Sequence, residues 1–104
     1  AKQSNMSQVG ADNDRATTLL NNGDANGALE ILEKILSGGA KLTGKQKATI
    51  LANKALCLEQ LTLYEEAIRT IDQASAISPD ASWQDVRGQI EVSMLTNQAL
   101  RTAE

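Results

Sequence analysis

Cys57 is the chain's single thiol, and no histidine is present to activate it or to share a metal with it. A histidine general base and a histidine metal site are thereby excluded, and one cysteine cannot build a zinc site of the usual composition. Cys57 stands among Ala55, Leu56 and Leu58, surroundings that favour a buried, inert thiol over a nucleophile. Glu65 and Glu66 are adjacent, so on a helix they point in different directions. They suit a solvated helix start, where negative charge meets the positive end of the dipole. The glycines of "SGGAKLTGK" (37–45) have neither the spacing nor the preceding strand of a phosphate-cradling loop. Neither catalysis nor a cofactor is expected. Lys41, Lys45, Lys47 and Lys54 cluster in and after that loop, as a solvated patch or as a dock for an acidic partner. Trp83, the sole tryptophan, reads as a cap on the preceding helix; left exposed, it would mark an interface.

Whatever such residues do, helices must position them. The 104 residues suffice for one small domain with a modest core, and with aromatics at 2% that core is built from Leu, Ile, Val and Ala. A single proline and few β-branched runs favour an all-α chain. The net charge of −3 argues against nucleic acid as the partner. No apolar run approaches the roughly 18 to 20 residues that cross a bilayer. No signal segment is visible, and one cysteine allows no intrachain disulfide, which fits a reducing, cytoplasmic setting. The first ten residues, "AKQSNMSQVG", are polar and aperiodic. They read as a flexible terminus or an expression remnant ahead of Met6, leaving 11–104 as a single helical domain.

Helix signals then follow in order. Residues 11–22 carry Ala16, Leu19 and Leu20 and stop at "NNGD", where Gly23 ends one helix and Asp24 starts the next. Residues 25–37 place Ala28, Leu32 and Ile35 on one face, flanked by Leu29 and Leu36. Thr43 caps a long helix over 44–61 whose stripe is Leu51, Ala55, Leu58 and Leu61. Ile50, Ala52, Leu56 and Cys57 add apolar surface beside it, so it is expected to be covered on more than one side. A helix over 65–77 ends at "SPD". Asp80 or Ser82 caps a fifth helix through Trp83, Val86, Ile90 and Met94, and the last ten residues either continue it or begin a sixth.

Laying "NNGDANGALEILEKIL" over "QLTLYEEAIRTIDQAS" sets Gly23 on Thr62, Ala28 on Ala67, Leu29 on Ile68, Leu32 on Ile71 and Ile35 on Ala74. In "YEEAIRTIDQASAISP" (64–79), Ala67 and Ala74 stand seven apart around Ile71, and Pro79 follows five residues later. With Ala55 in the preceding helix and Tyr64 in the turn, this segment resembles the tetratricopeptide repeat family, most closely over residues 48–81 and more loosely over 11–95. The first unit departs from the pattern, with Ala25 at the turn aromatic and Ile35 at a small position. The glycine-rich loop absorbs the excess over the family's 34-residue period. The resemblance implies antiparallel helix pairs stacked as a short solenoid, closed by a C-terminal capping helix, with Ala67 at a close helix crossing.

It further implies a non-catalytic scaffold or adaptor that holds a peptide or helix of a partner protein in a concave groove lined by the first helix of each unit. By position the groove residues are Asn13, Thr17 and Asn21, then Thr49, Asn53, Leu56 and Gln60, then Val86, Arg87 and Ile90. Asn53 stands where the family often uses an asparagine to hold a ligand backbone or carboxylate. One subfamily, co-chaperones that bind acidic chaperone tails, needs lysines, asparagines and an arginine as a clamp. Here the matching places hold Asn13, Thr17, Asn53, Ser82 and Val86, with Arg87 one step off, so only Asn53 survives and chaperone tails are disfavoured. The alternative is a structural piece that assembles or forms a homodimer through its end helix.

Overall fold

The computed structural model describes residues 6–38 and 41–103, with α1 at Met6–Asn21, α2 at Ala25–Ser37, α3 at Gly44–Gln60, α4 at Tyr64–Ile77 and α5 at Ala81–Ala103. The starts of three of them are written in their caps. Asp24 Oδ1 accepts from the Gly27 N–H at 2.9 Å ahead of α2. Thr43 and Gln46 form a reciprocal capping box at the start of α3. Asp80 Oδ1 accepts from the Ser82 N–H at 2.8 Å, so Asp80, not Ser82, caps α5.

The two tight turns repeat each other bond for bond. The N–H of Asp24 reaches the Leu19 carbonyl (2.8 Å) and that of Gly23 reaches Leu20 (3.1 Å). The N–H of Leu63 reaches Leu58 (2.9 Å) and that of Thr62 reaches Glu59 (2.9 Å). Both are Schellman closures, which place one residue in the left-handed region. Gly23 takes it at φ 87° and Thr62 at φ 64°. A β-branched residue there is strained by about 1 to 2 kcal/mol, of which glycine's greater backbone entropy in the unfolded chain cancels part. Thr62→Gly is expected to raise stability by up to about 1 kcal/mol, read as a higher urea midpoint. A lower midpoint would show that the turn is not strained.

Each helix packs on the next, and α3 also meets α1 and α5. The stack measures 54 × 27 × 18 Å. Its interior is two apolar clusters that share α3 as their wall. Ile50 and Cys57 face back into the first, with Val9, Ala16, Leu20, Ala28, Leu32 and Ile35. Ala48, Leu51, Ala52, Ala55 and Leu58 face forward into the second, with Ala67, Ile71, Ala74 and Ile90. The apolar breadth of α3 thus has its expected cause: it is covered on two sides. Trp83 packs on the second cluster and donates Nε1–H to the Ser78 carbonyl at 2.9 Å, a cap on the end of α4. No described helix is long and apolar enough to cross a membrane.

One boundary differs from the sequence expectation by more than a residue, and one left open is decided. Residues 1–5 lie outside the described residues, but α1 begins at Met6 rather than at 11. Val9, seven residues before Ala16, lies on the same stripe and is buried, so it anchors in the core a segment with little periodicity of its own. The last residues continue α5 through Ala103 and start no sixth helix.

Candidate binding face of α1, α3 and α5

The first helices of the successive pairs share one face of the stack, cross-linked by side chains. Asn53 Nδ2 on α3 donates to Asn13 Oδ1 on α1 at 2.9 Å. Gln60 Nε2 donates to the Leu20 carbonyl at 3.1 Å. On the other side of α3, Gln89 Nε2 on α5 donates to Glu59 Oε1 at 2.7 Å, and Ser93 Oγ donates to Glu59 Oε2.

Two hollows open on this face. The lower one, about 240 Å³, lies between α1 and α3 and includes Val9, Asn13, Lys45, Thr49 and Ile50. The upper one, about 490 Å³, is formed by α1, α3, α5 and the start of α4, with Leu20, Asn21, Leu56, Glu59, Gln60, Tyr64, Gln89 and Ser93 around it. Asn53 lies between them along α3, and its bond to Asn13 ties it to the lower one.

The structure therefore brings Asn13, Asn21, Thr49, Asn53, Leu56 and Gln60 onto one face. Thr17 and Thr49 turn their hydroxyls onto their own helices, to the carbonyls of Asn13 (3.0 Å) and Lys45 (2.9 Å). On α5 the expectation needs correction. Ile90 is wholly buried in the second cluster, because Trp83, Val86, Ile90 and Met94 recur at three- and four-residue steps on the side facing α4. Val86 packs on that cluster too. Arg87 is bound to α4 through Asp72 (2.9 Å) and to Glu91 (2.8 Å), so it does not line either hollow.

The α5 residues that do line the upper hollow are Gln89 and Ser93, together with Glu59 of α3. A signal for them exists. Cys57 and Ile90 are both core residues 33 positions apart, and the same shift carries Leu56 to Gln89 and Gln60 to Ser93. Of the lysine cluster, Lys54 pairs with Glu33 at 3.8 Å and Lys45 edges the lower hollow, while Lys41 and Lys47 are exposed. Burial pushes the Cys57 thiol up to about 11, the opposite of an activated nucleophile. Among the described residues no group of three or more Cys, Asp or Glu is placed to hold a metal ion.

The family model of the tetratricopeptide repeat matches residues 19–90. The chain belongs to the tetratricopeptide repeat family. No curated protein and no solved structure matches it. The matched span of this tetratricopeptide repeat chain runs from the end of α1 to Ile90, so it holds both Schellman turns, the whole of α2, α3 and α4, and the first part of α5. Tetratricopeptide repeats generally mediate interactions between proteins.

Proposed function

We propose that this chain is a non-catalytic interaction module that holds an extended segment of a partner protein along the face shared by α1, α3 and α5. The observation that carries the reading is the Asn13–Asn53 pair. Their mutual bond uses one Asn53 hydrogen and the Asn13 oxygen. Asn53 Oδ1 and Asn13 Nδ2 are then an acceptor and a donor, neither of them buried without a partner. One acceptor beside one donor is the complement of a backbone peptide group. A scaffold or adaptor role follows, with a protein or peptide as the partner.

Asn53→Ala is expected to weaken partner binding about 5- to 100-fold, the equivalent of roughly 1 to 3 kcal/mol. It also removes the bond to Asn13, so a thermal melt followed by circular dichroism must accompany it. Lys41→Glu is expected to do little, because an exposed loop charge is screened. Titration calorimetry of both variants against a partner recovered by pull-down decides the matter. Loss of binding in Lys41→Glu with retention in Asn53→Ala would transfer the contact to the basic loop.

A second reading rests on α5. Val92, Leu95 and Leu100 are 64%, 60% and 65% exposed, apolar surface that assembly through the end helix would cover. Sedimentation separates the two readings. A monomer at all concentrations supports the shared face, whereas a dimer that Leu95→Glu dissociates supports the end helix.

A further inference from the structure

Glu59 differs from the other carboxylates that bridge helices here. Asp72 is paired with Arg87, and Glu33 with Lys54. Glu59 is half-buried and meets two neutral donors, Gln89 and Ser93, one on each oxygen. They fix the plane of the carboxylate without cancelling its charge. Each oxygen keeps acceptor capacity, since an ionised carboxyl offers about four lone-pair sites. No described cation lies within ion-pair distance of it.

We propose that the upper hollow receives a lysine or arginine side chain of the bound peptide, with Glu59 as its counter-charge. This rests on the shared face being the binding surface. Leu20, Leu56 and Tyr64 supply apolar and aromatic walls beside the carboxylate. A long cationic side chain matches both parts, because its methylene stem packs on apolar surface while its head seeks charge and ring faces. An acidic side chain would meet like charge there. The lower hollow carries the opposite charge, Lys45, fourteen residues earlier on α3 and so about 21 Å away along the helix. An extended peptide covers that span in roughly six to seven residues. The partner segment therefore carries its cation at the end near Gln89 and Ser93, and an acidic or apolar residue near Lys45.

The test is selection of a random dodecapeptide library displayed on phage against the intact chain, followed by fluorescence anisotropy of the selected peptides and amide shift mapping. The selected peptides are expected to share a lysine or arginine. Their binding is expected to fall about tenfold in Glu59→Gln, which keeps the side chain's size and leaves an oxygen for one of the two donors. A melt confirms that the variant is folded. In the wild type, binding is expected to weaken as salt rises, and Glu59→Lys is expected to select acidic peptides instead. Peptides that shift Asn13, Thr49 and Leu56 but share no cation, or that bind Glu59→Gln unchanged, overturn this inference and leave the shared face standing. Peptides that shift only the outer side of α5, or a library that yields none, overturn both.

Discussion

Ile90→Ala is expected to lower the free energy of unfolding by about 2 to 5 kcal/mol, the usual cost of emptying a fully buried aliphatic site. Ile90 has no exposed surface and closes the second apolar cluster, against which Trp83 and Val86 also pack. Among the described helices α5 packs only on α3 and α4, so relaxation has to come from those two, whose own contacts resist it. A urea titration reads the effect as a lower midpoint. Val92→Ala, about half a helical turn further on and exposed, is the control and is expected to stay within about 0.5 kcal/mol. Were Ile90 part of the binding face, its replacement would instead weaken peptide binding and leave the midpoint where it was. That outcome would rotate α5 about its axis and remove Gln89 and Ser93 from the upper hollow.

The rotation of α5 marks the border of what the residues disclose before folding. The repeat was legible wherever one residue type has one physical use. Gly23 and Thr62 align because both close a Schellman turn, even though threonine hides the signal that glycine announces. Ala28 and Ala67, and Leu32 and Ile71, align because all four are wholly buried at helix contacts. That the named residues of α1 and α3 would share one face was legible for the same reason, since the registers of those helices are pinned by Ala16 and Ala55. On α5 the corresponding small residue is Gly88, with no atom within 4 Å of where its Cβ would stand, so no crossing pins the register there. Apolar residues on α5 also point two ways: Trp83, Val86 and Ile90 inward, Val92, Leu95 and Leu100 outward. Periodicity alone cannot sort two such stripes. Glu59 was hidden for a different reason. A lone glutamate near a helix end looks like a solvated charge until the partners that orient it, Gln89 and Ser93, are brought from 30 and 34 residues away.

Ala67→Leu is expected to destabilise the domain by about 1 to 3 kcal/mol through overpacking. Helix axes approach to within roughly 8 to 10 Å only as closely as the side chains between them permit. Ala67 on α4 and Ala55 on α3 are both without exposed surface in the same cluster, and Ala74 repeats the arrangement two turns later. A leucine at 67 needs room for three more carbons. It can gain that room by pushing α4 off α3, which loosens Leu58 and Ile71, or by adopting a strained rotamer. The burial of extra apolar carbon offsets only part of either cost, because the core is already filled. Ala76→Leu places the same side chain on the exposed side of the same helix and is expected to change stability by no more than about 0.5 kcal/mol. Urea denaturation of the two variants beside the parent separates the site from the residue type. An unchanged midpoint for Ala67→Leu would mean that α3 and α4 are not in close contact at this level. The small residues seven apart would then lose their physical reason. A displaced α4 would also carry Tyr64 away from the upper hollow, so the same substitution is expected to weaken any ligand that packs on that ring, even at temperatures where the variant remains folded.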